Sequence, residues 1–313
     1  MLFSLMLING MSLLLIFMME SLMFGPILMG QLFSLLIIFS FPHFIITYWI
    51  WIKRVEDWRQ EWWPLLFPGL YASFYLVVWW LKLSWIDISI LVKLSYCYLL
   101  YHFSQQLYGA NLWLNYSYRI NYASREKQIF RGFCLLTALY ALMMMEMSGA
   151  TSGLFYHEAV IWHFAPKLVS FVFYLVMALF VVLLLMRLRY FWIEKNVKEL
   201  YPFLGYLVCF IWFFPPSLYV IALFLPIVHA LQYLPFVWMK LKKHSRFQLV
   251  SISLGSVAAG YVLFRWLPFQ NFHESLPATI WAPLILTTLN NHHFIIDGRI
   301  WKLRDPQNKD LLI

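Results

Sequence analysis

Long apolar runs separated by short polar segments set the pattern of this chain. The runs fall at 2–19, 27–52, 64–82, 86–114, 130–147, 165–187, 201–214, 217–239, 247–267 and 276–298. Stretches such as FVFYLVMALFVVLLLM (171–186) stay apolar at every position, whereas strands of a membrane barrel alternate. A helix satisfies its backbone polar groups within itself, which lipid demands. The pattern predicts an all-α, polytopic integral membrane bundle of about ten transmembrane helices. Two spans are less regular. The first ends on Glu20, and FFPPSLY (213–219) separates the short seventh from the eighth. No hydrophilic domain, internal repeat or low-complexity segment interrupts the series, so 1–313 reads as a single transmembrane domain.

Composition agrees, with 63% hydrophobic and only 12% charged residues against about a quarter charged in soluble domains. The net charge of +9 acquires meaning once it is placed. Lys53, Arg54 and Arg59 follow the second run, and Arg119, Arg125, Lys127 and Arg131 the fourth. Arg187, Arg189, Lys195 and Lys198 follow the sixth, Lys240, Lys242, Lys243 and Arg246 the eighth, and Arg299, Lys302, Arg304 and Lys309 the tenth. These are 19 of the 23 basic residues, all on one side; Lys82, Lys93, Lys167 and Arg265 are the exceptions. The positive-inside rule makes that side the cytoplasm and places both termini there, as in a bacterial cytoplasmic membrane. The charge thus calls for no nucleic acid. It marks topology, touches anionic membrane lipids and leaves basic cytoplasmic loops for a protein partner. The N-terminal run has no basic n-region or Ala-x-Ala site and reads as a retained helix. Cys97, Cys134 and Cys209 are odd in number, lie in apolar runs and read as small core residues.

Polar residues inside the runs carry the candidate chemistry. His43 lies about ten residues, or roughly 15 Å, from the basic edge of its helix, and His229 about eleven. His293 is six residues before Arg299, and His102 lies at a similar depth. All four sit on even-numbered runs, which cross in the same direction. Tyr98, His102, Gln105 or Gln106, and Gly109 share one helical face. His229 shares a face with Gln232 and with Tyr233, and His293 with Asn290 and Asp297. A single histidine in a membrane helix serves well as an interhelical hydrogen-bond partner. Four at one depth suit a metal, with imidazoles as ligands and amides or carboxylates orienting them. Pairs drawn from the same four also suit the axial positions of a haem.

GLFYHEAVIWHFAPK (153–167) holds a second polar group, His157, Glu158, His163 and Lys167, on the opposite side. Its spacing gives no helical ligand pair and reads as a polar loop or interfacial helix. WIEKNVKELYP (192–202) reads as a surface turn or short helix. The chain has no HExxH, no Walker GxxxxGK[ST], no GxSxG and no paired-glycine dinucleotide turn.

HFIITYW (43–49), YHFSQQLYG (101–109) and HALQYL (229–234) resemble segments of the bacterial Brp/Blh-type carotene dioxygenases. In those multi-helix membrane proteins, histidines on separate helices bind one iron and oxygen cleaves a polyene. The resemblance implies His43, His102 and His229 as iron ligands. It departs where the family places a second histidine four residues on, since Tyr233 stands there and a fourth ligand must come from His292 or His293. The tail NHHFIIDGRIWKLRD also resembles uncharacterised bacterial membrane proteins.

The resulting expectation is a histidine-ligated, non-haem iron oxygenase that takes a hydrophobic small molecule, a lipid or isoprenoid, from the membrane. His43, His102, His229 and His293 are the expected metal ligands. Gln106 and Gln232 support them, Tyr233 stands beside the metal, and Asp297 orients His293 or links the site to the cytoplasm. The alternatives are a non-enzymatic membrane subunit or scaffold, a haem protein and a transporter.

Overall fold

A computed structural model describes residues 34, 36–55, 58–81, 88–120, 122–149, 162–210, 225–270 and 278–301. These hold nine α-helices: α1 Phe41–Arg54, α2 Trp62–Leu81, α3 Ile88–Ser117, α4 Ser124–Ser148, α5 Pro166–Glu194, α6 Tyr201–Val208, α7 Leu225–Leu241, α8 Arg246–Tyr261 and α9 Ala278–Ile300. The described residues contain no strand. The first expected run, His157, Glu158 and FFPPSLY lie outside them, whereas His163 and Lys167 are exposed.

Local signals set several helix ends. Pro42 and Pro166 stand in the first turns of α1 and α5, where a missing N–H costs no helical bond. Ser245 and Gln248 form a reciprocal capping box at the start of α8. Gly149 ends α4 at φ 68°, a left-handed conformation suited to glycine. At the end of α5, Lys195 turns left-handed, and the Asn196 side chain accepts from the Lys198 N–H at 3.0 Å. A 3-10 turn, Val197–Leu200, then leads into α6.

Among the described residues, four helices are long and apolar enough to cross a membrane: α2, α4, α5 and Arg246–Trp266, which is α8 with its π-helical extension. The outer faces of α2, α5 and α8 are apolar, with Trp80, Phe171, Tyr174 and Leu254 largely exposed. Such faces need a non-aqueous surround. At 1.5 Å per residue, the 30 residues of α3 and 23 of α9 also reach across a bilayer core. Their polar side chains keep them out of the strongly apolar set. Lys93, Asn111 and Asn115 of α3 and Asn291, His293 and Asp297 of α9 are instead buried within the bundle.

α9 occupies the centre, packing on α1, α2 and α3, while α3 also packs on α4, α6 and α7. α8 backs α1 closely enough that a Cβ on Gly260 would stand 2.7 Å from Phe41 Cβ. Two apolar layers bracket the convergence of α1, α7 and α9. Phe41, Phe44, Ile227, Phe264 and Leu286 form one. Ile46, Ile50, Val237, Leu241, Ile296 and Ile300 belong to the other.

Among the described residues, two ion pairs join neighbouring helices inside the bundle. Lys93 on α3 pairs with Glu146 on α4, both fully buried, and Glu146 Oε2 also accepts from the Trp162 backbone N–H at 2.6 Å. Arg187 does not follow its span as a topology charge. α5 continues through Glu194, and Arg187 is buried against Glu126, with its Nη1 donating to Glu199 at 3.1 Å. Its guanidinium lies 4.2 Å from the centre of the Tyr122 ring. Burial is the main influence pushing the Tyr122 phenol above its usual range, so it stays neutral there.

Candidate metal centre

The four histidines singled out by depth meet between α1, α3, α7 and α9. His43 faces outward from α1 between Phe44 and Tyr233, its ring 3.9 Å from the tyrosine ring and 4.7 Å from His293. The Nε2 atoms of His43 and His293 lie 3.1 Å apart. His229 and Tyr233 project from α7 one turn apart, and the His229 ring is 5.0 Å from those of both His43 and His102.

Asp297 completes the group. It stands four residues after His293, hence on the same face of α9. Its Oδ2 lies 3.3 Å from His293 Nε2, 3.4 Å from His102 Nε2 and 3.8 Å from His43 Nε2. Its other oxygen, Oδ1, accepts from Thr47 Oγ1 at 3.2 Å and from Tyr233 OH at 3.1 Å. Thr47 and Tyr233 are 3.1 Å apart as well, so two hydroxyls hold one carboxylate oxygen while the second points at imidazoles. Thr47 was not among the residues singled out by sequence. Its signal was available, since it lies four residues after His43 on one face of α1.

One donor atom each from His43, His229, His293 and Asp297 can be chosen so that all lie within 4.8 Å of one another, and all four residues are buried. Two donors 2.0–2.1 Å from a tetrahedral ion are separated by about 3.3 Å. The 3.1 Å between His43 and His293 and the 3.3 Å between His293 and Asp297 match that edge. A buried group of three imidazoles and a carboxylate can therefore hold a metal ion. Imidazole accepts iron, zinc, copper and nickel alike, so the donor set leaves the metal's identity open. His102 stands just outside this set, and Asp297, expected to orient a ligand, stands inside it.

The remaining candidates have distinct places. Gln106 donates to the backbone carbonyl of His229 at 2.9 Å, holding α7 against α3 rather than touching an imidazole. Gln232 is buried on α7. His292, next to the site in sequence, turns away and pairs through Nδ1 with Tyr48 OH at 2.8 Å. Asn290 folds back onto the carbonyl of Leu286, and Asn291 donates to Ser95 on α3 at 2.9 Å. Among the described residues, Nδ1 of His43 and His293 and Nε2 of His229 are buried without a hydrogen-bond partner. Such atoms are costly to leave unpaired.

A cavity of about 190 Å³ opens beside the group. His102, Gln106, Tyr233 and Asp297 border it on the polar side, and Ala110, Phe236 and Trp301 supply apolar wall.

No family model matches this sequence, and no curated protein or solved structure matches it either. The likeness to carotene dioxygenases accordingly rests on the quoted motifs alone.

Proposed function

We propose that this protein is a membrane-embedded oxygenase that holds a non-haem iron and acts on a lipid or isoprenoid. One observation carries the reading: three imidazoles and a carboxylate from three helices converge, buried, at ligand-like separations. Mixed nitrogen and oxygen donors without a thiolate are the set non-haem iron favours when it works with oxygen. Iron bound there would supply the binding and activation of O₂. The chain's own residues would do the rest. Thr47 and Tyr233 fix the carboxylate of Asp297, Gln106 fixes the backbone that carries His229, and the apolar cavity wall admits a hydrophobic chain. The cavity is smaller than the roughly 300–1,000 Å³ of drug-sized sites, which favours a bare ion and part of a lipid chain over a haem. In this reading about ten helices cross the bacterial cytoplasmic membrane, both termini are cytoplasmic, and basic loops are left to meet a protein partner.

The second reading is a scaffold in which the same groups only bind helices together, and the His43–His293 contact favours it by itself. Elemental analysis of the detergent-purified protein, with an optical spectrum, separates the two. Near-stoichiometric iron without a Soret band, lost in His43→Ala and His229→Ala, is the expected result. Absence of iron after anaerobic reconstitution, or full iron content in both variants, would remove the oxygenase reading.

A further inference from the structure

The cavity beside the histidine group runs in one direction. α3, α7 and α9 lie parallel around it: His102 meets His229 and Phe294, and further along the same helices Trp113 meets Phe236 and Phe236 meets Trp301. The lining steps the same way, from His102 to Gly109 on α3, from Tyr233 to Phe236 on α7 and from Asp297 to Trp301 on α9. Seven residues of helical rise make it roughly 10 Å long. Its inner end touches the metal group, and its outer end lies towards the helix ends that carry Lys240 and Arg299.

Gly109 and Gly298 line it, both in helix interiors, where glycine is destabilising relative to alanine. Neither takes the left-handed conformation that gives Gly149 its reason. Neither is pressed by a neighbour as Gly260 is by Phe41, since a Cβ on Gly109 or Gly298 would meet nothing within 4 Å. Gly69 and Gly255 are equally unhindered, but they stand exposed on α2 and α8, outside the cavity. What a side chain at Gly109 or Gly298 would fill is the cavity itself. Its size then limits the occupant. An apolar cavity of about 150 Å³ takes one benzene ring. About 190 Å³ drawn out over two helical turns takes a single narrow chain, and leaves no width for a ring lying across it or for regular methyl branches.

Building on the oxygenase reading, we infer that the substrate is an unbranched acyl chain, and that Gly109 and Gly298 set the bore through which it reaches the metal group. The chain enters from the side of the basic helix ends, and the rest of it stays in the leaflet there. The repeated methyl groups of an isoprenoid stop at the opening.

The test measures anaerobic binding of cis-parinaric acid, an unbranched polyene that fluoresces in apolar surroundings, to the detergent-purified, iron-loaded full chain. Unbranched oleyl alcohol and methyl-branched phytol compete for the site. Gly109→Leu and Gly298→Leu should each weaken binding about tenfold or more, because the added side chain overfills the bore. Gly255→Leu, on the outer face of α8, should stay within about twofold. Thermal unfolding should not fall in the two cavity variants, because leucine is the better helix former and meets no neighbour. If a leucine variant fails to fold, the alanine variant at that position carries the same comparison. Oleyl alcohol should displace the probe at about a tenfold lower concentration than phytol. Binding within about twofold of the unsubstituted protein in both cavity variants, or phytol competing as well as oleyl alcohol, would overturn the inference. Iron content is measured in parallel. Iron present with no variant dependence removes the chain site alone, whereas variant dependence without iron removes the oxygenase reading and leaves the chain site.

Discussion

Tyr233→Phe separates a metal centre from a helix clamp more sharply than loss of a histidine. The tyrosine is buried, and its hydroxyl donates to Asp297 Oδ1 at 3.1 Å while its ring lies 3.9 Å from that of His43. Phenylalanine preserves the ring contact and the packing of α7, and removes one hydrogen bond to a carboxylate. Thr47 remains as a donor to the same oxygen at 3.2 Å. A hydrogen bond to a charged group contributes about 1.5–3 kcal/mol. If Asp297 is a ligand, that loss appears in metal affinity, because groups that orient ligands typically account for 10–100-fold, or about 1.4–2.7 kcal/mol. The assay titrates iron into chelator-stripped protein against a competing chelator and follows thermal unfolding with and without iron. The expected result is a 10–100-fold weaker iron affinity and a smaller stabilisation by iron than in the unsubstituted protein. Iron affinity unchanged within about twofold, with the stripped protein alone destabilised, would refute the ligand role and leave Tyr233 as a helix clamp.

Other consequences follow from single contacts. His102→Ala should keep stoichiometric iron while His43→Ala loses it, because His102 lies outside the closest donor group; elemental analysis of the two variants decides. Lys93→Met should leave Glu146 buried and unpaired at a cost of about 3–5 kcal/mol. Thermal unfolding in detergent should show Lys93→Met/Glu146→Leu recovering much of that loss. Gly260→Ala sets a methyl within 2.7 Å of Phe41 Cβ and 2.9 Å of its backbone carbon. Overpacking of this kind costs about 1–3 kcal/mol, and the same unfolding assay should register it without change in the iron content of the folded fraction.

Depth was readable from the sequence because helical rise turns a count of residues into a distance. Ten residues from Lys53 and eleven from Lys240 put His43 and His229 in one layer. The all-helical architecture was equally open to reading, since unbroken apolar runs admit no alternating strand. Adjacency was not, because nothing in the series of runs tells which helices touch. His102 shares the depth of the other histidines, yet it is Asp297, on the same face of α9 as His293, that joins the compact donor set. The i, i+4 rule sets Asp297 beside His293 in the sequence reading and equally sets Thr47 beside His43; a threonine carries no charge, so its signal in the sequence is the weaker of the two. The ion pairs show the limit from the other side. Lys93 and Glu146 lie 53 positions apart on different helices and cancel each other's charge inside the bundle. By its place in the sequence Arg187 reads as a marker of the cytoplasmic edge, whereas Glu126 and Glu199 surround it in the fold. A basic residue reports topology only while water or headgroups solvate it. Once a carboxylate does so instead, the same residue reports packing, and no property of the one-dimensional pattern distinguishes the two.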